Sequence, residues 1–187
     1  SNDFSVSTLD TKVNLTSGPF SVAGVCFHDG CGLYGIVQAD PAEMEYVTKL
    51  LTLLGLGGVG GKTSSGYGKF ELTEAAPLSE CGGQGKLICR LLKNTAADYF
   101  LSLTAALPQD AELERALDGA TYRLIRRGGF LYSEKAERPL KKQTQYCFAA
   151  GSVFRTRFAG DVYNVAPHAP HPAYRYLKPL FLGVSCP

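Results

Sequence analysis

The sequence predicts an α+β protein with a mostly antiparallel sheet. Short apolar stretches bounded by glycine outnumber the segments with helical spacing, and turn signals of a few residues separate several of them. Few helices among many hairpin-like strands favour a ferredoxin-like (RRM-like) arrangement. In such a fold the helices lie on one face of an antiparallel sheet, and here we expect inserted hairpins as well.

The strongest helical pattern begins at Asp40. This residue can cap a helix, Pro41 suits the first helical position, and Glu43 lies three residues after the cap. Apolar residues then recur at helical spacing, at Met44, Val47, Leu50, Leu51 and Leu54. Gly55 is a typical residue for the end of a helix. The sequence therefore predicts a helix over 40–54.

The remaining predicted elements are short. A second helix is predicted at Asp110–Leu117 and is ended by Gly119. Turn signals between apolar runs predict two hairpins, 20–28 with 33–38 and 121–126 with 130–132. Further strands are predicted at 70–72, 87–92, 99–103 and 144–154.

Composition limits the class of protein. The 187 residues are 45% hydrophobic, which is enough for a core. The longest apolar run, 50–56, is far shorter than the ~20 residues that cross a bilayer, so no membrane partner is expected. No secretion leader is visible. The six cysteines are therefore predicted to be reduced thiols of a cytoplasmic protein and not a disulfide framework.

Charge is distributed unevenly along the chain. Residues 1–60 contain two lysines and six acidic residues, whereas 61–187 contain 17 basic and 11 acidic residues. Within 121–178 there are 11 basic and three acidic residues. This asymmetry favours a polyanionic partner for the second part of the chain, because phosphate neutralisation dominates the affinity for nucleic acid. A solvated basic face is the alternative.

Segment 55–70 is rich in glycine and contains Gly61-Lys62-Thr63, which resembles the end of a nucleotide-binding P-loop. That motif requires another glycine where this chain has Leu56. It also requires a strand before the loop, where a helix is predicted here. An ATP-binding loop is therefore not predicted.

The same segment suits contact with RNA. Glycines allow positive φ and close approach, so backbone N–H groups can converge on a phosphate. The lysines add charge, the serines add donors, and Tyr67 offers a ring for stacking. Arg126 and Arg127, at a predicted hairpin turn, are further candidates for phosphate contact. The predicted RNA-binding residues are Gly57, Gly58, Gly60, Gly61, Lys62, Ser64, Ser65, Gly66, Tyr67, Gly68, Lys69, Arg126 and Arg127. An architectural or flexible loop is the alternative.

Several motifs together resemble a known family. The leucine-rich helix is followed by Gly57-Gly58-Val59-Gly60-Gly61-Lys62-Thr63-Ser64-Ser65-Gly66-Tyr67-Gly68-Lys69-Phe70. Further matches are 29–37, Gly151-Ser152-Val153-Phe154 and His171-Pro172-Ala173-Tyr174-Arg175-Tyr176. This pattern is similar to the RAMP superfamily of CRISPR-associated proteins. Within that superfamily it resembles the fourth Csm subunit of type III-A effector complexes.

The resemblance implies a non-catalytic subunit without a cofactor. Such a subunit binds the 5′ handle of the guide RNA (crRNA) and contacts the large polymerase-like (Palm-domain) Csm subunit and the backbone Csm RAMP subunit. It also implies a division of the chain: 1–19 as a leading segment from the linker of a missing N-terminal domain, and 20–187 as the RAMP ferredoxin-like domain. We accordingly expect the C-terminal portion of a longer protein.

Two other functions stay open from sequence. A metal-independent endoribonuclease would use a histidine, with His28 and His171 as candidates, and a protein-interaction module would have little RNA affinity of its own. Cys26-x-His28-x-x-Cys31 contains metal-ligand residue types but lacks a second pair, so no metal is predicted. Tyr174, Arg175 and Tyr176 are predicted to pack the tail onto its own domain, with RNA stacking or subunit docking as alternatives.

Overall fold

The computed structural model describes residues 4–8, 12–14, 18–20, 23–60, 62–131, 133 and 140–185. The chain divides into two compact units, Ser1–Ala75 and Ala76–Pro187, here called unit 1 and unit 2. Each unit is described by itself. No helix in the described ranges is long and apolar enough to cross a membrane.

The described residues of unit 1 form two strand pairs and one α-helix. Its strands are β1 (Phe4–Thr8), β2 (Lys12–Asn14), β3 (Gly18–Phe20) and β4 (Ala23–Phe27). β1 pairs antiparallel with β4, and β2 pairs antiparallel with β3. The shorter pair is therefore nested between the strands of the longer pair in the chain order.

Helix α1 (Met44–Gly57) confirms the strongest prediction from the sequence. A 3₁₀ turn at Pro41–Glu43 leads into it, and the Asp40 side chain accepts a hydrogen bond of 2.9 Å from the Ala42 N–H. The apolar positions of α1 are largely exposed: Leu53 is 62% exposed and Tyr46 is 65% exposed. Local capping, and not burial of these side chains within unit 1, explains where this helix starts.

Unit 2 contains the remaining helices and strands. Its helices are α2 (Gly82–Lys93) and α3 (Leu113–Leu117). Its strands are β5 (Tyr99–Ser102), β6 (Leu124–Arg127), β7 (Phe130–Leu131), β8 (Leu140–Lys141), β9 (Gln145–Phe148), β10 (Val153–Phe154), β11 (Val162–Asn164), β12 (Tyr174–Tyr176) and β13 (Phe181–Val184). Three of them form a sheet in the order β10-β5-β13, and the other six form the antiparallel pairs β6-β9, β7-β8 and β11-β12.

The core of unit 2 is a cluster of phenylalanine rings. Phe154 is fully buried, and its ring centroid lies 5.1 Å from both Phe148 and Phe158 and 5.8 Å from Phe181. Phe100 packs edge-on against Phe181 at 6.1 Å. The T-shaped arrangements are those that aromatic pairs prefer. Residues from β5, β9, β10 and β13 thus meet in one aromatic core.

The α+β class and the antiparallel pairing are confirmed. Helix α3 and the preceding 3₁₀ turn at Asp110–Glu112 match the second predicted helix, and β5 matches the predicted strand at 99–103. Strands β9 and β10 lie within 144–154, on either side of Gly151. The ferredoxin-like arrangement and the division at residue 20 stay predictions.

Both predicted hairpins are wrong, because 33–38 forms no strand and the strands of the second hairpin pair with other strands. Asp29-Gly30 does form a turn, in which the Cys31 N–H donates to the His28 carbonyl at 3.0 Å, but residues 31–40 form no strand. In the second case β6 pairs with β9, and β7 pairs with β8. Turn signals are local, whereas the choice of a pairing partner depends on the whole sheet.

Two predicted strands are also wrong. Residues 87–92 belong to α2, since Leu87, Ile88, Leu91 and Leu92 recur at helical spacing and the preceding glycines obscured this pattern. Gly85 of this helix is buried, and a Cβ there would meet Cys81 Cβ at 2.8 Å, so close packing accounts for one of those glycines. Residues 70–72 form no regular element.

Candidate nucleic-acid interface

The glycine-rich segment forms a loop that is closed by its own backbone. The Val59 N–H donates to the Gly68 carbonyl at 2.9 Å, and the Phe70 N–H donates to the Gly55 carbonyl at 3.2 Å. These two bonds join the end of α1 to the chain that leaves the loop. The described part of segment 55–70 is therefore held in a defined conformation and is not a flexible linker.

Three glycines are required for this closure. A Cβ at Gly58 would meet the Tyr67 carbonyl oxygen at 2.8 Å, and Cβ atoms at Gly55 and Gly68 would collide with the Phe70 and Val59 carbonyl oxygens. Gly58 and Gly68 also have positive φ, of 85° and 74°. At these positions glycine permits the close approach of two backbone segments.

Three other glycines face open space. A Cβ at Gly57, Gly60 or Gly66 would meet no heavy atom within 4 Å. Gly60 and Gly66 have φ of 88° and 86°, which accounts for glycine there. Gly57, the last residue of α1, has neither a positive φ nor a close neighbour. Bare backbone at these three positions gives a ligand access to the outer surface of the loop.

The loop also carries polar side chains. Lys62 has the left-handed conformation (φ 61°, ψ 30°) and precedes a 3₁₀ turn at Thr63–Ser65. Lys62, Ser64, Ser65 and Lys69 are exposed, whereas Tyr67 is half-buried. A helix precedes the loop and a 3₁₀ turn follows Lys62, so the arrangement differs from a P-loop as the sequence predicted.

The internal hydrogen bonds restrict which N–H groups a phosphate could use. The Gly58 N–H donates to the Leu54 carbonyl at 2.8 Å, and the Val59 N–H donates to Gly68. These two N–H groups therefore already donate to carbonyl groups of the protein and are not available to a phosphate. Gly61, another predicted RNA-binding residue, lies outside the described residues.

The predicted arginines lie in unit 2 and face opposite sides of the β6-β9 pair. Arg126 is directly across from Tyr146, and Arg127 is across from Gln145. Arg127 lies next to Cys147: burial raises the pKa of the Cys147 thiol, while the charges of Arg127 and Arg175 and a hydrogen bond from Arg127 lower it in part. Arg126 and Arg127 therefore have different surroundings despite being adjacent.

In the tail segment 174–176, neighbouring side chains also have different surroundings. Arg175 Nη1 donates to Gln145 Oε1 at 3.0 Å and to the Arg127 carbonyl at 3.1 Å, so this side chain packs the tail onto unit 2 as predicted. Tyr174 and Tyr176 are 68% and 67% exposed, so the packing predicted for them is wrong. Alternation along β12 explains the difference, since neighbouring residues face opposite sides.

The histidines form no site in the described residues. His28 and His168 are exposed, and His171 Nδ1 lies 3.1 Å from the carbonyl oxygen of its neighbour Pro172. In the described ranges, no group of three or more His, Cys, Asp and Glu residues is arranged to hold a metal ion. The geometry thus adds nothing in favour of metal or histidine chemistry.

Comparison with known proteins finds matches to part of unit 2 and to most of the chain. Residues 95–184 match the family model of the CRISPR Csm4 C-terminal domain. The chain is 39% identical over 168 residues to the CRISPR system Cms protein Csm4 of Mycobacterium tuberculosis (strain ATCC 25618 / H37Rv), which covers 89% of this chain and 51% of that protein. The chain is a Csm4-like CRISPR protein.

Two further relatives are also Csm4 proteins. Csm4 of Streptococcus thermophilus is 38% identical over 168 residues, covering 89% of this chain and 52% of the relative. Csm4 of Methanocaldococcus jannaschii is 25% identical over 152 residues, covering 79% and 39%. The chain thus spans about half the length of the Mycobacterium tuberculosis and Streptococcus thermophilus relatives. It spans 39% of the length of the Methanocaldococcus jannaschii relative. The resemblance seen in the sequence is confirmed.

Proposed function

We propose that this Csm4-like chain is a subunit of a Csm complex in CRISPR defence and that it binds guide RNA without catalysing a reaction. The supporting observation is the construction of the glycine loop. Its ends are closed by backbone hydrogen bonds, while Gly57, Gly60 and Gly66 leave bare backbone at three positions of its surface. A preorganised bare surface lowers the entropic cost of binding and admits a phosphate close to the backbone.

Exposed cations complete this surface. Lys62 and Lys69 flank the 3₁₀ turn that carries Ser64 and Ser65. Lysine provides a point charge for phosphate, and serine hydroxyls donate hydrogen bonds to phosphate oxygens. Tyr67, which is half-buried, offers a partly accessible ring for a base or ribose. The RNA class favoured is the 5′ handle of crRNA, which the family resemblance implies.

A salt-dependent RNA titration tests this proposal with two lysine variants. Lys62→Ala is expected to weaken binding of crRNA with its handle by about 1 kcal/mol or more, the scale of a charge-assisted hydrogen bond. It should also reduce the slope of log K against log salt concentration by about one unit. Lys49→Ala is the matched control, because Lys49 lies on α1 of the same unit and pairs with Glu45 at 2.6 Å. An equal loss for both variants would show that only overall charge matters.

Gly60→Val is a second test of the loop. A β-branched residue at φ 88° is strained, and its methyl groups would occupy the open space above the backbone. We expect a larger loss of RNA affinity than for Lys62→Ala, with an unchanged melting temperature of unit 2. Unchanged affinity for both variants would mean that the loop is architectural and that RNA binds elsewhere or not at all.

The absence of catalysis needs its own test. Incubation with repeat RNA should leave the RNA uncut. Specific cleavage that is lost in His28→Ala or His171→Ala would replace the proposal with the endoribonuclease function. Comparison of the reaction with and without chelator would then separate metal-independent from metal-dependent cleavage.

We propose two protein partners on the basis of the family resemblance: the large polymerase-like Csm subunit and the backbone RAMP subunit. The exposed apolar positions of α1, including Leu53 and Leu56, supply surface that a protein partner could cover. Co-elution of the purified protein with each subunit on size exclusion tests this. Failure to co-elute with either would support a function outside such a complex.

A further inference from the structure

One face of the β6-β9 pair combines an exposed ring with an exposed cation. Cross-strand pairing places Arg126 opposite Tyr146 and Leu124 opposite Phe148, so these four residues share one face. Tyr146 is 61% exposed, and Arg126 is exposed. Directly opposite residues of an antiparallel pair have Cβ atoms only ~5 Å apart.

This face is anchored to the core at one end. The Phe148 ring packs against Phe154 at 5.1 Å, and the Tyr122 ring packs edge-on against Phe148 at 4.8 Å. The strand that presents Tyr146 is therefore continuous with the buried aromatic cluster of unit 2. A ring on a rigid strand is presented for stacking at a small entropic cost.

The net charge of the segment that contains this face suits a polyanion. Arg126 is in no ion pair with a described carboxylate, since the one ion pair found in the described ranges joins Lys49 and Glu45. In the described parts of 121–178, Asp161 is the one acidic residue beside nine basic residues. A protein surface would need carboxylates to complement this excess, whereas every nucleotide of RNA provides a negative charge.

We propose that Tyr146 and Arg126 bind one nucleotide of single-stranded RNA. The base stacks on the exposed Tyr146 ring, and the Arg126 guanidinium binds the adjoining phosphate. Aromatic side chains on a sheet face are a common platform for unpaired bases. This inference rests on the proposed RNA-binding function and adds to it a stacking residue, Tyr146, in unit 2.

A second exposed tyrosine face in the same unit provides the control. Tyr174 and Tyr176 of β12 are exposed to a similar degree, and their cross-strand partners are Asn164 and Val162. No cation lies opposite either ring in this pair. Tyr174→Ala therefore removes an equally exposed ring from a hairpin of the same unit without removing a ring that faces an arginine.

The test is RNA titration of the purified protein with four variants. Tyr146→Ala should weaken single-stranded RNA binding at least about fivefold, the loss expected for one stacked base, and leave the salt slope unchanged. Tyr146→Phe should bind as the wild type does. Arg126→Ala should reduce the salt slope by about one unit. Tyr174→Ala should have no effect on either quantity.

Photo-crosslinking with 5-iodouridine RNA provides a measurement on the unsubstituted protein. Mass spectrometry should find the crosslink on the peptide that contains Tyr146. If the wild type binds RNA but Tyr146→Ala binds equally well, or no crosslink reaches this peptide, the inference is overturned and the proposed function stands. If Tyr174→Ala matches the loss in Tyr146→Ala, the inference is also overturned. If the wild type binds no RNA, both proposals are wrong.

Discussion

The two units of the chain differ in how their conformation is stabilised. In unit 2, phenylalanines from four strands pack in one cluster around the fully buried Phe154. In unit 1, Gly55 is the one buried position among the residues whose burial is described, and the apolar side chains of α1 are largely exposed. In unit 1 the conformation is stabilised instead by the Asp40 cap and by the hydrogen bonds that close the loop.

The two units are thus stabilised in two ways: unit 2 by a buried core, and unit 1 by a helix cap and loop hydrogen bonds. A buried aromatic core stabilises many elements at once, so its loss affects the whole unit. Caps and loop bonds act over a few residues and contribute about 1 kcal/mol each. We therefore expect large, global effects of substitutions in unit 2 and small, local effects in unit 1.

Truncation of the central phenylalanine should have the largest effect. Phe154→Ala is expected to lower the free energy of unfolding of unit 2 by about 3–5 kcal/mol, the range for a buried phenylalanine that leaves a cavity. Leu53→Ala, at a position of α1 that is 62% exposed, should change the free energy of unfolding of unit 1 by less than about 0.5 kcal/mol. Denaturant titration measures both. A comparable loss for Leu53→Ala would mean that a partner or further chain covers this face of α1.

The carboxylate of Glu112 should have an intermediate effect within unit 2. Its oxygens accept hydrogen bonds from the N–H groups of Ala159 (2.8 Å), Gly160 (3.2 Å) and Gln109 (3.1 Å). Partial burial raises the pKa of Glu112, but these three bonds and the charge of Arg115 lower it more, so the pKa lies below the ordinary 4.5.

The sign of the pH dependence follows from that shift. Because the folded-state pKa is lowered, the stabilisation is fully present above the ordinary pKa of 4.5 and is lost as the pH falls through the lower folded pKa. Glu112→Gln should lower the free energy of unfolding at neutral pH by about 1–2 kcal/mol. It should also flatten the decrease in stability below pH 4.5. A decrease as steep as in the wild type would assign the acid sensitivity to other carboxyl groups.

Apart from the Leu53→Ala control, the smallest effects should come from a pair of loop glycines in unit 1. Gly68 and Gly60 both have positive φ, of 74° and 88°, but only a Cβ at Gly68 would collide with backbone, at the Val59 carbonyl. Gly68→Ala should therefore open the loop more than Gly60→Ala does. The difference is limited to about 1 kcal/mol, since the loop can release its closing hydrogen bonds instead of straining further.

Hydrogen exchange measures this difference directly. The Val59 and Phe70 amides, which donate the two closing bonds, should lose protection in Gly68→Ala and keep most of it in Gly60→Ala. Equal loss in both variants would show that positive φ alone, and not close approach, requires glycine in this loop.

The elements predicted correctly are those with local causes. Helix α1 follows from Asp40, Pro41 and the apolar spacing after them, because a cap and a helical repeat act within a few residues. The helix ended by Gly119 follows for the same reason, and Gly119 indeed has a φ of 61°. The candidate loop could also be found from sequence, since its glycines, lysines and serines are contiguous.

Three features thus follow from local patterns in the sequence: the α+β class, the capped helix α1 and the position of the glycine loop. The roles of the individual loop glycines required the folded chain, in which Gly58 and Gly68 close the loop while Gly57 and Gly60 face open space. The folded chain also places Tyr146 opposite Arg126. Both outcomes depend on backbone segments that meet across an intervening stretch of chain, and no local propensity specifies which segments meet.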